Sequence, residues 1–151
     1  MSERIDFNQV APAGMKALGG VYHYLTQTDL SLTLLELVFL RISQLNGCAY
    51  CIDMHSKALH KAEVSWDKIV LTAVWNESGN LFSDREKAAL RWAECLTLIA
   101  SAGAPDEDYA ALQACFSEKE IVDLNIAIGL MNTYNRMAIS LKKLPAAVSG
   151  Q

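Results

Sequence analysis

Two capping boxes set the frame for this chain. Ser83-Asp84-Arg85-Glu86 and Ser117-Glu118-Lys119-Glu120 each place a serine three residues ahead of a glutamate. In such a box the serine oxygen accepts from a backbone N–H of the first turn, and the glutamate reaches back to the N–H of the cap. Each box therefore marks a helix start, predicting helices over 84–102 and 118–143. Elsewhere apolar residues recur at helical spacing, and no alternating run bounded by turn residues reads as a strand. The same pattern predicts helices over 12–27, 31–45, 47–62 and 66–77, the last capped by Ser65, and a short one from near Asp106 to before Phe116. Pro12, Pro105 and Pro145 fall at segment edges, and Glu77-Ser78-Gly79-Asn80 is a loop. The expected fold is all-α, one compact multi-helix domain over residues 1–151 without linker or repeat.

Composition narrows the function classes. A chain of 151 residues can bury roughly 70% of its unfolded surface as one domain, and 52% hydrophobic content excludes disorder. Thirteen Lys and Arg against seventeen Asp and Glu, a net charge of -4 and no basic run argue against a nucleic-acid face. No uninterrupted apolar stretch approaches the roughly 18 residues needed to span a membrane. The opening MSERIDFNQV carries no charged-then-apolar leader, so the four cysteines read as thiols of a reducing, cytoplasmic setting. Two segments, Leu32–Leu45 and Ile121–Leu141, are apolar on nearly all sides. Such helices belong in a large core or a subunit interface, which predicts a homo-oligomer.

The chemistry concentrates in Glu36–Lys61, ELVFLRISQLNGCAYCIDMHSKALHK. Cys48 and Cys51 form a C-x-x-C, and His55 follows four residues later. On one helix these three positions line one stripe. Asn46-Gly47 is a stop-and-turn signal that puts both cysteines at the first turn of a new helix. There the positive end of the macrodipole favours the thiolate, the reactive form. His55 can take a proton from Cys51 or stabilise its thiolate. Glu36 is the lone acid in the apolar run Leu32–Leu40, a candidate proton carrier. On an unbroken helix it would lie about 18 Å from Cys48. The break at Asn46-Gly47 lets the second helix fold back, so that Glu36 can approach His55.

Other readings stand beside this one. A structural zinc site would need Glu36 or a distant cysteine as its fourth ligand, and Cys95 and Cys115 lack ligand spacing. A thioredoxin-type motif would need a preceding strand, where this chain reads as helix. Glu36 could simply pair with Arg41 or Arg136, or with backbone. Cys95 and Cys115 read as packed small hydrophobes, and His23 and His60 as structural or exposed. Trp66, Trp75 and Trp92 read as core or interface anchors. Asn132, Asn135 and Arg136, polar residues in an apolar helix, either tie helices together or line the site.

Glu36, Cys48, Cys51 and His55 together resemble the signature of the alkylhydroperoxidase D-like branch of the carboxymuconolactone decarboxylase superfamily. FSDREKAAL from Phe82 and NTYNR from Asn132 are similar to downstream segments of its short members, so the likeness runs from Leu32 to Leu144. The resemblance implies an all-α homo-oligomer, a trimer or hexamer, that reduces hydroperoxides with thiols and needs no cofactor or metal. Cys51 would attack the peroxide and become a sulfenic acid, and Cys48 would supply a proton and then resolve it as a Cys48–Cys51 disulfide. His55 and Glu36 would form the proton relay. Cys48, at the helix edge, would meet the external reductant, a thiol or a lipoyl-type protein. The pattern departs at Tyr50, where the best-known member has histidine between the cysteines; a phenol is the poorer proton shuttle near neutrality. Two further functions compete: a non-enzymatic redox sensor or disulfide-exchange protein, and a lactone decarboxylase, which does not need the C-x-x-C.

Overall fold

The computed structural model describes residues 2–149. Its longer helices follow the sequence signals: α2 (Pro12–Leu25), α3 (Leu32–Asn46), α4 (Ala49–Lys61), α6 (Asp84–Thr97), α8 (Asp106–Gln113) and α9 (Glu118–Ser140). Between them lie α5 (Trp66–Leu71), which runs into a 3-10 turn over Thr72–Glu77, and α7 (Ile99–Ala102). Short helices α1 (Phe7–Val10) and α10 (Ala146–Ser149) flank the bundle. There is no strand among the described residues. Both capping boxes form, at Ser83/Glu86 and Ser117/Glu120. Ser65 and Ser31 cap α5 and α3.

Three expected helices are shorter or broken. The 66–77 helix leaves α-geometry at Thr72 and kinks at Val74. The 84–102 helix is interrupted at Leu98. The 118–143 helix ends at Ser140, and Lys142 then adopts a left-handed φ of 56°. The N-terminal turn α1, capped by Asp6, and the short α10 have no counterpart in the sequence reading.

Helix α3 is the hub, packed against α4, α6 and α9. It is apolar on nearly all sides because it is covered on two. Leu34, Leu35, Val38, Phe39 and Ile42 enter a core shared with α6, α8 and α9. Leu37 and Leu40 enter a second core with Leu59, Ile69, Phe82 and Leu90. Most of its apolar residues are thus buried within one chain, and only Leu32, at its first turn, is a large apolar residue left exposed. Helix α9 does leave Val122 and Ile139 at the surface. Of the tryptophans, Trp92 is buried and donates to Asn125, and Trp75 donates to Glu94. Trp66 is no core anchor: it is 55% exposed and stacks on His60.

Two carboxylates tie the start of α9 to the rest of the bundle. Burial pushes the Asp123 carboxyl up, but hydrogen bonds from Lys119 and from the Tyr24 hydroxyl, both 2.6 Å, outweigh it and hold the group below its ordinary range. Glu120 is lowered chiefly by its bond from Arg85. Both groups ionise more readily folded than unfolded. Their contribution is therefore complete above the ordinary carboxylate range and is lost as pH falls through the lowered values. The urea midpoint is expected to fall as the medium is acidified below about pH 4, and less steeply in Asp123→Asn. Urea titrations across pH 3–6 check this, and equal slopes for wild type and variant would count against it.

Candidate functional site

The α3–α4 turn is a Schellman motif. Gly47 adopts φ 69°, ψ 35°; its N–H donates to the Gln44 carbonyl, and the N–H of Cys48 to that of Ser43. A left-handed residue closes a helix this way, and glycine does so without the cost of a Cβ. The turn is anchored to α9 by side-chain amides. Asn46 Nδ2 donates to Asn132 Oδ1 and to Asn135 Oδ1, and Asn135 Nδ2 donates to Ser43 Oγ. Asn132 and Asn135 thus tie helices together; Arg136 is exposed and takes no part.

The turn sends α4 back along α3. Cys48 is the N-cap of α4 rather than a residue within it, and its sulfur accepts from the N–H of Cys51 at 3.3 Å. The two sulfurs are joined as a disulfide, with Cα atoms 5.3 Å apart. Cys51 and His55 follow one turn apart on the inner face. Glu36 meets His55 across the helix pair, with Oε2 2.7 Å from Nδ1. Neither Arg41 nor Arg136 pairs with Glu36; Arg41 is held by Glu94. With the carboxylate ionised and the imidazole neutral, Nδ1–H donates to Glu36 and Nε2 carries the free lone pair. Nε2 is buried and has no partner among the described residues. The Phe39 ring lies against the imidazole, 5.4 Å between centroids.

Glu36, Cys51 and His55 line a cavity of about 500 Å³. The rest is mostly apolar: Phe7, Met15, Met54, Ala58, Met131 and Ala138, with the phenols of Tyr22, Tyr50 and Tyr134. Burial raises the Tyr22 phenol, with the Glu36 carboxylate adding to it, and burial also raises Tyr134, with Tyr22 adding. Both phenols therefore stay protonated around neutrality and can donate. Sequence reasoning passed over Tyr22 and Tyr134; nothing in VYHYL or NTYNR says that they line this space together.

Cys48 is not at an accessible edge. It is 1% exposed and Cys51 2%, packed with Ala138 and Tyr50. The N-cap position turns its sulfur inward to the helix it caps. Cys95 is buried, with its thiol raised by burial and then by its bond to Asp108; Cys115 is half-buried. Among the described residues no three His, Cys, Asp or Glu side chains are placed to hold a metal ion. No helix among them is long and apolar enough to cross a membrane.

Residues 12–94, which carry all four of Glu36, Cys48, Cys51 and His55, match the carboxymuconolactone decarboxylase family. The uncharacterized protein YdfG of Bacillus subtilis (strain 168) is 38% identical over 141 residues, covering 93% of this chain and 95% of YdfG. A solved Agrobacterium tumefaciens protein of unknown function, proposed to be the antioxidant defence protein AhpD, superposes with a TM-score of 0.92 at 37% identity, over 95% of this chain and 98% of that one. The debrominase Bmp8 shares the fold at a TM-score of 0.80 and 20% identity, over 90% of this chain and 73% of its own. By the family match, and by a shared fold along nearly its whole length, the chain belongs to the carboxymuconolactone decarboxylase family.

Proposed function

We propose that this protein is a thiol-dependent peroxidase that reduces organic hydroperoxides through a Cys48/Cys51 dithiol–disulfide cycle. The observation that carries the reading is the Glu36–His55 contact of 2.7 Å, one helical turn from Cys51 on the wall of an apolar cavity. In the reduced protein His55 Nε2 takes the Cys51 proton, while Glu36 fixes the ring through Nδ1 and stabilises the imidazolium. The Cys51 thiolate attacks the terminal peroxide oxygen. The O–O bond breaks, Cys51 becomes a sulfenic acid, and the alkoxide leaves as the alcohol with a proton from His55. The Cys48 thiolate then attacks the Cys51 sulfur, forming the disulfide and releasing hydroxide, which leaves as water with the Cys48 proton. An external thiol or lipoyl-type donor returns two electrons, in a reducing cytoplasm. No metal or cofactor enters. Exposed Trp66, Val70 and Val74 on α5 and the turn after it support a homo-oligomer; the family resemblance implies a trimer or hexamer, which sedimentation would read directly.

The deciding experiment is chemical trapping. The reduced protein is given one equivalent of an organic hydroperoxide, and the cysteine peptides are mapped by mass spectrometry. A Cys48–Cys51 disulfide in the wild type and a sulfenic-acid adduct on Cys51 in Cys48→Ser are expected. Unmodified thiols would overturn the reading and turn attention to the lactone decarboxylase.

Glu36 acts through His55 and is a positioning residue. Glu36→Gln is expected to lower kcat/KM about a hundredfold and to move the pH profile, since the imidazolium loses its counter-charge. An unchanged pH profile would reduce Glu36 to scaffolding. The burial of both sulfurs favours one second reading, a redox switch that a bulky reductant resets slowly; it predicts a single stoichiometric turnover and a stable oxidised form.

A further inference from the structure

Four walls of the Cys51 cavity stand on long helices: Met15 and Tyr22 on α2, Glu36 on α3, Cys51 to Ala58 on α4, and Met131 to Ala138 on α9. The remaining wall is of another kind. Phe7 and Asn8, on the four-residue helix α1, close the space from the N-terminal segment, ahead of the family-matched residues 12–94. That segment is strapped to the end of α9 by few bonds. The Arg4 N–H donates to the Leu141 carbonyl and the Arg4 guanidinium to the Ser140 carbonyl, each at 2.9 Å. Lys143 pairs with Glu3 at 3.0 Å and sits over the Phe7 ring, 5.7 Å from its centroid. The left-handed Lys142 turns the chain at the end of α9 and so brings Lys143 to this position. Phe7, 8% exposed, is the strap's one buried residue.

We propose that the strap Glu3–Val10 is the adjustable wall of the site, and that Phe7 sets the size of molecule admitted to Cys51. The strap's ion pair, Glu3–Lys143, is partly open to solvent, and the segment buries Phe7 alone, so this wall yields before the long helices. A small hydroperoxide passes beside Phe7 with the strap in place. A bulky one, or a bulky reductant, must lift Phe7 from beneath Lys143. As a statement about substrates this rests on the peroxidase reading. As a statement about access to Cys51 it does not.

The test therefore reads access first. In reduced protein carrying Cys48→Ser, alkylation of Cys51 is timed with iodoacetamide and with an N-pyrenyl maleimide, and the modified peptide is identified by mass spectrometry. Phe7→Ala is expected to raise the maleimide rate about tenfold relative to the iodoacetamide rate, and Phe7→Trp to lower that ratio. Lys143→Met, which keeps Phe7 in place but frees the clasp, is expected to raise the ratio a fewfold and covers the case in which Phe7→Ala fails to fold. A ratio unchanged in Phe7→Trp and Lys143→Met overturns the proposal. So does an equal rise for both reagents, which is general loosening. Turnover of cumene hydroperoxide against ethyl hydroperoxide in otherwise wild-type protein should shift in the same sense. Absent turnover with shifted alkylation would defeat the peroxidase reading alone.

Discussion

Replacing Cys51 by serine is expected to lower hydroperoxide kcat/KM by about a thousandfold or more, because a serine hydroxyl is no thiolate and His55 has nothing acidic enough to deprotonate. The fold should tolerate the change. Cys51 is 2% exposed at the first turn of α4, where a hydroxyl differs from a thiol by little volume. The matching Cys48→Ser variant separates the two sulfurs. It should keep a first, stoichiometric turnover and lose the steady state, since its sulfenic acid has no neighbouring thiol to close on. Stopped-flow consumption of peroxide by reduced protein measures both. If Cys51→Ser keeps a tenth of the turnover, Cys51 is not the nucleophile. If Cys48→Ser loses even the first turnover, the two roles are reversed.

The largest loss of stability is expected from Phe39→Ala. Phe39 is 0% exposed in the middle of α3, inside the core shared with α6 and α9, and its ring also backs His55 and faces Tyr22. Truncating such a side chain removes its transfer energy and leaves a cavity, costing about 3–5 kcal/mol. A protein of this size has about 5–15 kcal/mol to lose. The melting temperature should drop by about 10 °C or more. Turnover measured well below that temperature should fall too, because the imidazole loses the surface that holds its ring against Glu36. Phe39→Leu should recover most of the stability. Thermal and urea unfolding followed by circular dichroism decide it; a loss under about 1 kcal/mol would mean that the core closes over the gap.

What the sequence disclosed was what short-range chemistry specifies. Ser83 and Ser117 mark their helices because a cap and its glutamate are satisfied within four residues. Asn46-Gly47 discloses the turn, and the turn alone brings Glu36 to His55. What it concealed depends on partners far along the chain. Tyr22 and Tyr134 line one cavity only because α2 packs on α9. Aromatic content alone does not separate a core tryptophan such as Trp92 from an exposed one such as Trp66, since the residue type does not say which side of α5 is covered. An all-round apolar helix such as α3 reads alike whether its second face is covered by its own chain or by another, and here two cores of the one chain cover it. Cys48 was expected at an accessible edge because its inward direction follows from its role as a cap, which one stripe drawn through 48, 51 and 55 does not contain.

The amide clamp of Asn46, Asn132 and Asn135 with Ser43 has a consequence for how the dithiol would work. A turn bonded through Ser43 and Asn46, by three hydrogen bonds, to two asparagines of a twenty-three-residue helix is held against opening when its disulfide is reduced. The spacing of the two sulfurs is preorganised by the resting fold and not assembled by a ligand. Interconversion of dithiol and disulfide would then demand little movement of the backbone, and the motion a proposed cycle requires would be displaced to the edges of the cavity.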